Sequence, residues 1–594
     1  MPIVAGGLVA AHNLSRKATT VLSRRTLLRG AVVGAAGIAL PPALYRVAGS
    51  SVAPAVAGGT IPHRHYIAAS GPSAVQSSSI PLPLLPKARP VAPNSYRIAA
   101  RAGAVTVHPT FGSTRVFGYD DGSGRGVTSP GYTIEVTKGT PTSITFVNGL
   151  PAEHLFDNEV PDYMHAGSAV RMNTHLHGGH VAGASDGNPY AYPAEYLPGQ
   201  TQSVVYPNDQ NATLLWYHDH ADQITRLNVY AGLEGLYVIR DGVDTGAEPN
   251  GLGVPGGGYE IPLVLADRQF DSSGQLFYSS DATWLPEFFG DTPLVNGAAQ
   301  PYLNVEPRIY RFRILNASNA RFWNLSIQGG PPLVQIGSDG GLFDRPVSIN
   351  TLLMLPAERA DVLVDFSRFA GQTLAVTNPD LPADVSSPAP PLPTVMEIRV
   401  GTKVTRPGPS RFPVKLPGSM PALGGPSVTR IMTLEEVENP DTGEPEYGSL
   451  NGRKFDDPRG VQDQPRVGAT EDWLLVNLTE DTHPIHVHLV QFQVVDRTPF
   501  DADGYSAALS AARASNPDAP NPDPTPYLTG KATAPDPNER GWKDTVRTNP
   551  GQVTRIRMRW DLPAGVTGSQ RYVYHCHILE HEDNSMMRPL ELLA

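Results

Sequence analysis

Histidines recur two residues apart along this chain. It holds 17 histidines in 594 residues, with five His-x-His pairs among them, whereas random placement would give about half of one pair. Four pairs lie in the body of the chain, at 175–177, 218–220, 486–488 and 575–577. Residues two apart on a β-strand share a face, so each pair can direct two imidazoles at one point. The spacing therefore predicts a metal cluster built from eight imidazoles.

The only cysteine of the chain, Cys576, stands between His575 and His577. A single thiol cannot form an internal disulfide, so we expect it to act as a ligand or a nucleophile. On a strand it points to the opposite face from its neighbours, so one strand can serve two metal sites. A thiolate, two imidazoles and a weakly bound thioether form the ligand set of a blue-copper site. The remaining candidates at suitable spacing are His483, His581 and Met586.

The first and last thirds of the chain look like copies of one another. Pro198-Gly199-Gln200 precedes the pair at 218–220, and Pro550-Gly551-Gln552 precedes the pair at 575–577. In the first copy, Asp219 occupies the position of the cysteine, so we expect no blue-copper site there. The middle third, about residues 246–403, contains no histidine, and we interpret it as a spacer domain.

Short strands must position these residues. The 59 prolines and 58 glycines favour many turns over long helices. Runs of β-branched or alternating apolar residues lie at 132–150, 307–318, 360–366, 471–479 and 551–560. A chain of 594 residues also exceeds what one hydrophobic core usually supports. The sequence therefore predicts an all-β fold of several sandwich domains.

The N-terminal region is typical of an export signal. The segment SRRTLLRG, residues 23–30, places paired arginines before the apolar stretch AVVGAAGIAL. We interpret residues 1–57 as a twin-arginine signal peptide and residues 58–91 as an N-terminal extension, which holds the fifth pair, His63 and His65, in a disordered tail. The expected destination is extracellular, periplasmic or on the cell surface.

The charge of the chain argues against a nucleic-acid partner, and its hydrophobicity argues against a membrane span. The formal net charge is −11, and the body of the chain has no basic tract, so nucleic acid is not an expected partner. The apolar run of the signal is too short to span a bilayer, so no stable membrane span is expected. The oligomeric state cannot be read from the sequence.

Four motifs resemble the copper-binding motifs of multicopper oxidases. They are NTHLHGG, WYHDHA, THPIHVHLVQF and YHCHILEHEDNSMM. The flanking text is similar to the branch of bacterial spore-coat laccases, bilirubin oxidases and phenoxazinone synthases, and the resemblance covers most of residues 92–594. It implies three cupredoxin-like Greek-key β-sandwich domains. These are expected at 92–245, at 246–403 without copper, and at 426–594 with the type 1 copper, after a linker at 404–425.

The resemblance also implies four coppers per chain and a role for each ligand. The type 1 copper is expected on His483, Cys576, His581 and axial Met586, and the type 2 copper on His175 and His486. The two type 3 coppers are expected on His177, His218, His220, His488, His575 and His577. Asp186 and Glu582 match acidic positions that serve proton delivery, with solvated loop acids as the alternative. His180, Asp219 and Glu580 are not expected to be ligands.

The implied activity is that of a laccase-like oxidase. It would couple one-electron oxidation of phenolic, aminophenolic or bilirubin-like donors to the four-electron reduction of dioxygen to water. A copper-binding structural or storage protein without turnover is the alternative. A zinc hydrolase gives no reason for Cys576 with Met586, and a copper nitrite reductase needs fewer histidines. The insert at about 502–538 either walls the donor pocket or is an exposed loop.

Overall fold

The computed structural model describes residues 79–161, 170–190, 195–278, 285–438 and 445–594. Within these ranges the chain is mostly β-strand, which confirms the predicted all-β class. The strands of this described part form six sheets, which pack in chain order as three β-sandwiches. The predicted signal peptide, with His63 and His65, lies outside the described residues. No described helix has the length and apolar character needed to cross a membrane.

The first sandwich contains eight of the described strands. They are β1 (Ser95–Val105), β2 (Thr114–Asp120), β3 (Ile134–Thr137), β4 (Thr142–Asn148), β5 (Thr174–His177), β6 (Thr201–Tyr206), β7 (Thr213–Asp219) and β8 (Glu234–Arg240). One sheet has the order β2-β1-β4-β6 and the other β3-β8-β7-β5. Ile98 and Phe146 of the first sheet share a buried core with Leu215 and Tyr237 of the second. Two short helices belong to this part, α1 (Gly183–Asp186) and α2 (Thr225–Ala231).

The second sandwich is built from the histidine-free part of the chain. Its strands are β9 (Glu260–Phe270), β10 (Leu276–Phe277), β11 (Thr292–Val295), β12 (Ala298–Ala299), β13 (Tyr302–Val305), β14 (Ile309–Asn316), β15 (Trp323–Gln328), β16 (Leu333–Ser338), β17 (Gly341–Ile349), β18 (Leu352–Met354), β19 (Arg359–Asp365), β20 (Thr373–Thr377) and β21 (Thr394–Val400). One sheet runs β12-β11-β9-β14-β19-β16-β17 with β10 on β9, and the other runs β13-β21-β20-β15-β18. Between the two sheets, Phe312 and Val362 of the first share a buried core with Trp323 and Leu325 of the second.

The third sandwich follows residues 401–427, which contain no helix or strand. Its strands are β22 (Val428–Glu438), β23 (Pro445–Leu450), β24 (Thr470–Asn477), β25 (His483–Val487), β26 (Phe492–Pro499), β27 (Thr545–Thr548), β28 (Gln552–Arg559), β29 (Gln570–Cys576) and β30 (Met587–Leu592). The sheets have the orders β23-β22-β24-β28-β26 and β27-β25-β29-β30. Two helices accompany them, α3 (Ala502–Ser515) and α4 (Leu579–Asp583).

Single turns of 3-10 helix complete the described structure. They lie at Pro109–Phe111, Asp157–Glu159, Gly257–Tyr259, Thr525–Tyr527 and Pro537–Glu539. The repeat seen in the sequence has a counterpart in strand pairing. In the first sandwich β5 pairs with β7 so that His175 lies opposite His218. In the third, β25 pairs with β29 so that His486 lies opposite His575. Equivalent strand pairs therefore carry the histidines of both sandwiches.

Candidate metal centre

Eight buried imidazoles from the first and third sandwiches lie together. They come from the ends of four strands: His175 and His177 on β5, His218 and His220 at the end of β7, His486 and His488 at the end of β25, and His575 and His577 at the end of β29. Each side chain is at most 1% exposed. Strand pairing fixes the backbone that carries these rings, because His175 lies opposite His218 and His486 lies opposite His575.

The imidazoles form three groups in which the candidate ligand atoms lie within 4.8 Å of one another. The groups are His177, His218 and His577; His220, His488 and His575; and His175, His177 and His486. The rings of His175 and His488 stack with centroids 4.0 Å apart, and those of His177 and His486 with centroids 3.7 Å apart. Every group takes residues from both sandwiches, so an ion bound in any of them would join the two domains.

Oxygen atoms outside the cluster orient most of the rings. Nδ1 donates to a main-chain carbonyl in His175 (Asp186, 2.6 Å), His218 (Asp219, 2.8 Å), His486 (Asp544, 2.8 Å) and His575 (Cys576, 3.1 Å), and to a carboxylate in His488 (Asp186, 2.7 Å). A ring that donates from Nδ1 keeps its lone pair on Nε2. The outer hydrogen bonds therefore fix which nitrogen of each ring faces the cluster.

The inner nitrogens lack partners within the described chain. Buried ring atoms without a hydrogen bond are Nε2 of His175, His218 and His486, Nδ1 of His177, and both ring nitrogens of His220 and His577. Each unpaired buried polar atom costs about 1–3 kcal/mol. So many convergent lone pairs are unfavourable unless a cation accepts them. Imidazole nitrogen is a ligand that suits copper, and these residues fit copper ions as their occupants.

Burial also keeps the rings in the form that binds metals. It lowers the pKa of His175 to about 4 and that of His218 to about 3. The pKa values of His220, His486 and His488 fall well below 6.5, first because of burial and then because of neighbouring histidines. These five rings are therefore neutral at physiological pH, and only a neutral imidazole can ligate a metal ion.

Asp186 and Glu582 both lie against the cluster. Asp186, on α1, accepts a hydrogen bond from Nδ1 of His488, and its other oxygen is buried without a partner. Glu582, on α4, places one carboxylate oxygen 3.2 Å from Nδ1 of His220 and the other 3.0 Å from Nδ1 of His575. Both side chains are at most 1% exposed, so neither is a solvated loop acid. Burial raises the pKa of Asp186.

A second, smaller group surrounds Cys576. Its Sγ lies 3.5 Å from Nδ1 of His483 and 3.8 Å from Nδ1 of His581. The main-chain N–H of Ile578 points at the sulfur from 3.4 Å, a contact that favours a thiolate. Burial raises the pKa of the Cys576 thiol, so a bound cation must displace its proton. The three side chains match the thiolate and imidazole ligands of a blue-copper site.

Met586 is tied to this group through the main chain. Its N–H donates to the carbonyl of His581 over 2.8 Å, and its carbonyl accepts from the N–H of Cys576 over 3.0 Å. The side chain is fully buried in the core that also contains Cys576. Gly448, on β23, leaves room for it, because a Cβ there would lie 3.0 Å from Cβ and 3.3 Å from Cε of Met586. The sequence offered no signal for the role of Gly448.

Two acids beside the small group were also missed by sequence reasoning. An oxygen of Glu287 lies 3.3 Å from Nε2 of His581, and burial raises the pKa of Glu287 to about 7. The pKa of Asp481 is raised to about 7 by burial and by the charge of Glu287. Glu287 comes from the histidine-free part of the chain, and no local pattern connects it with His581.

The residues not expected to be ligands lie outside all these groups. His180 places Nδ1 2.8 Å from Asp209 and Nε2 3.2 Å from the carbonyl of Asp561. Asp219 accepts hydrogen bonds from Asn228 and from the main-chain N–H of Asn173 and Ala221. Glu580 accepts hydrogen bonds from Tyr278 and Asn319. Asp219, at the position that corresponds to Cys576 in the third sandwich, thus accepts several hydrogen bonds within the first sandwich.

The insert after β26 is an ordered element. Its helix α3 buries Tyr505 and Leu509 against Val476 and Val553 of the third sandwich. Arg513 of this helix pairs with Glu435 on β22 at 2.7 Å. The insert is therefore attached to the outer sheet of the third sandwich rather than being a free loop.

Comparison with known families gives a consistent result along the chain. Three family models described as multicopper oxidase match residues 167–244, 265–383 and 425–592. A laccase of Bacillus subtilis is 37% identical over 87% of this chain and 98% of its own length. Multicopper oxidase LPR1 of Arabidopsis thaliana is 35% identical over 85% of this chain and 89% of its own length.

Solved structures resemble the chain over a similar span. The multicopper oxidase McoA of the hyperthermophile Aquifex aeolicus matches with a TM-score of 0.67 and 28% identity, covering 88% of this chain and all of that one (100%). A laccase of Pediococcus acidilactici matches with a TM-score of 0.65 and 27% identity, covering 88% of this chain and 96% of that one.

Proposed function

Because the chain belongs to the multicopper oxidase family, we propose that its two buried groups divide four copper ions between electron entry and oxygen reduction. The protein is a copper oxidoreductase that uses dioxygen as its acceptor and has laccase-like activity. The convergent, unpaired imidazole nitrogens carry the proposal. The relatives are laccases and multicopper oxidases, which favours an oxidase over a copper-binding structural or storage protein without turnover.

The proposed ligands follow the groups. Type 1 copper would take His483, Cys576, His581 and axial Met586; type 2 would take His175 and His486; type 3 would take His177, His218, His220, His488, His575 and His577. Copper held by these residues would supply the one-electron chemistry that links oxidation of the donor to the four-electron reduction of dioxygen. The domain boundaries at 245/246 and 403/404, with a linker to 425, are proposed on the grouping of β1–β8, β9–β21 and β22–β30 into separate sandwiches.

The chain itself supplies the route between the groups. Cys576 belongs to the smaller group, and His575 and His577 on either side of it belong to the larger one. The Nδ1 of His575 also donates to the carbonyl of Cys576 over 3.1 Å. Two peptide bonds, one on each side of Cys576, and one hydrogen bond therefore connect the two groups within the buried interior.

Proton delivery is proposed for Asp186 and Glu582. Reduction of dioxygen to water consumes four protons, which must reach a cluster whose side chains are buried. Asp186 has a buried carboxylate oxygen with no hydrogen-bond partner, and burial raises its pKa. Such a carboxyl can hold a proton beside the cluster and release it. Glu582 lies beside His220 and His575, which belong to the same group as His488, so both acids contact this group of rings.

The donor is proposed to be a small phenolic, aminophenolic or bilirubin-like molecule that approaches His581. A phenol releases a proton when it loses an electron, and Glu287 lies 3.3 Å from His581. A carboxylate at this position is suited to accept that proton as a general base. A reduced metal ion is the second candidate donor, because Glu287 and Asp481 interact as two neighbouring carboxylates and carboxylate oxygen binds cations.

Oxygen consumption by copper-loaded protein tests the proposal. The donors are phenols, aminophenols, bilirubin, cuprous ion and ferrous ion, each with wild type and with Glu287→Gln. A phenolic oxidase should lose on the order of tenfold or more in kcat/KM for phenols in the variant, because an amide cannot act as a general base. Loss confined to metal-ion donors would select the second candidate. A blue protein that consumes no oxygen with any donor would instead support a storage role.

Export is proposed on the paired arginines and apolar stretch of residues 1–57. Substituting Arg24 and Arg25 by lysine should retain the precursor inside the producing cell. A mature protein that reaches the outside without these arginines would contradict the twin-arginine route.

A further inference from the structure

His177 is oriented differently from its neighbours in the cluster. Its Nε2, rather than Nδ1, meets oxygen atoms outside the cluster, at 3.0 Å from Asp544 and 3.2 Å from Thr545. Its Nδ1 is buried without a partner, within the group that contains His218 and His577. Since a carboxylate can only accept, Nε2 must carry the hydrogen. The lone pair that faces the cluster is therefore on Nδ1.

Asp544 contacts the cluster at two points. Its carboxylate accepts from Nε2 of His177, and its main-chain carbonyl accepts from Nδ1 of His486 over 2.8 Å. Because the rings of His177 and His486 stack with centroids 3.7 Å apart, one residue holds both members of the stack. Asp544 is fully buried, so no solvent competes for these bonds.

The charge partner of Asp544 comes from the second sandwich. Arg359, the first residue of β19, donates from Nη1 to one carboxylate oxygen over 2.7 Å and from Nη2 to the other. Its remaining donors reach the carbonyls of Leu214, Ala357 and Asp339. A planar guanidinium held at both ends fixes the plane of the carboxylate. Arg359 thus connects the histidine-free sandwich to a ring of the cluster.

The chain leaves space for this pair next to His177. Gly178 has a φ of +78°, and a Cβ at that position would lie 2.5 Å from Asp544 and 2.7 Å from Arg359. No side chain fits there without displacing the ion pair. The glycine therefore allows the carboxylate to reach the ring of the preceding residue.

We infer that Arg359 and Asp544 form a positioning pair that decides which nitrogen of His177 faces the type 3 copper pair, so the second sandwich helps to assemble the oxygen site. This rests on the proposed function, and it gives the middle third a role in addition to that of a spacer. The pair fixes the His177 tautomer, because both carboxylate oxygens are acceptors that only an N–H can approach. Ligand rings held in this way by carboxylates bind metal more tightly.

Three variants test the pair, namely Arg359→Lys, Arg359→Met and Asp544→Asn. In Asp544→Asn, the one amide oxygen accepts from Arg359, and the amide NH2 group faces Nε2 of His177. Nε2 must then accept, so the ring hydrogen moves to Nδ1. We expect cluster copper affinity to fall 10–100-fold in competition with a chelator. Uncoupled cupric ions should appear in electron paramagnetic resonance spectra, while the blue band stays within about 10%. Lysine should be less damaging than methionine because it keeps the charge.

Arg311→Lys is the matched control. Arg311 is a fully buried arginine of the same sheet and pairs with Asp361 and Asp244 away from the cluster. The inference is overturned if this variant loses cluster copper as the Arg359 variants do, or if Asp544→Asn keeps wild-type copper affinity and coupling. Should the Arg359 variants not fold, Asp544→Asn decides, because it is nearly isosteric. Wild type without cluster copper would instead defeat the proposed function.

Discussion

Cys576 and His575 are joined by one peptide bond but face two different groups. Sγ of Cys576 lies 3.5 Å from Nδ1 of His483, whereas Nε2 of His575 lies 3.2 Å from Nε2 of His488. The alternation of side chains along β29 produces this separation. Changes at the two positions should therefore have separable effects on the two copper centres.

Cys576→Ser should remove the blue colour and keep the cluster. A hydroxyl does not give the strong charge transfer of a thiolate, and the eight imidazoles remain in place. We expect about three coppers per chain and turnover reduced by orders of magnitude. His577→Ala is the reciprocal variant, which should keep the blue band and weaken the type 3 pair. Visible spectra and copper counts of the two proteins decide, and loss of all copper in Cys576→Ser would contradict the two-faced strand.

Fully reconstituted protein should contain about four coppers per chain and little zinc. Four ions are required to engage the inner nitrogens of the three imidazole groups and the group around Cys576. Elemental analysis of the wild type checks this directly. A plateau at one or two coppers would exclude the trinuclear arrangement.

Met586→Leu should leave a blue, active protein with a raised type 1 reduction potential. Losing a weak thioether donor disfavours the oxidised ion, while the imidazoles and the thiolate keep the copper bound. Redox titration of the blue band measures the change. Gly448→Ala tests the same position from the other side, because the added methyl crowds Met586. An unchanged potential in both variants would show that Met586 is not the axial residue, and Met587 would be examined next.

Asp186→Asn should reduce turnover on the order of 100-fold without loss of copper, because an amide cannot hold a proton for the cluster. The variant keeps an acceptor for Nδ1 of His488, so the ligand should stay oriented. Glu580→Gln provides the control, since Glu580 is equally buried but contacts Tyr278 and Asn319. Equal losses in both variants would point to a general effect of removing buried acids.

The free energy of unfolding should decrease at low pH, because Glu260 loses its charge there. Burial alone would raise the pKa of this carboxyl, but Arg313, Arg311 and Arg240 lower it to about 2 in the folded protein. Its stabilisation is therefore complete above the unfolded value of about 4.5 and is lost as pH falls through about 2. The shift corresponds to about 3 kcal/mol. Urea unfolding of Glu260→Gln between pH 2 and 6 should show a weaker pH dependence than wild type, whereas exposed Glu153→Gln should match wild type.

Local periodicity was sufficient for much of the fold. The predicted strand runs at 307–318, 360–366, 471–479 and 551–560 correspond to β14, β19, β24 and β28, because β-branched residues with turn residues at both ends leave few alternatives to a strand. The run at 132–150 is divided into β3 and β4, since Lys138-Gly139-Thr140 forms a turn with Gly139 at a φ of +72°. The strands pair into different sheets, which the sequence did not indicate.

The sequence by itself determined the identity of the imidazoles and the cysteine, because side chains two residues apart on a strand share a face. The two acids near the cluster followed only from the resemblance of the motifs to those of multicopper oxidases. Only the tertiary structure decided what surrounds them. Asp544 and His177 are 367 residues apart, and Arg359 reaches them from a sandwich without a histidine. Glu287 meets His581 from the same histidine-free part of the chain. Contacts of this kind depend on how sandwiches pack on one another, and no spacing along the chain encodes that packing.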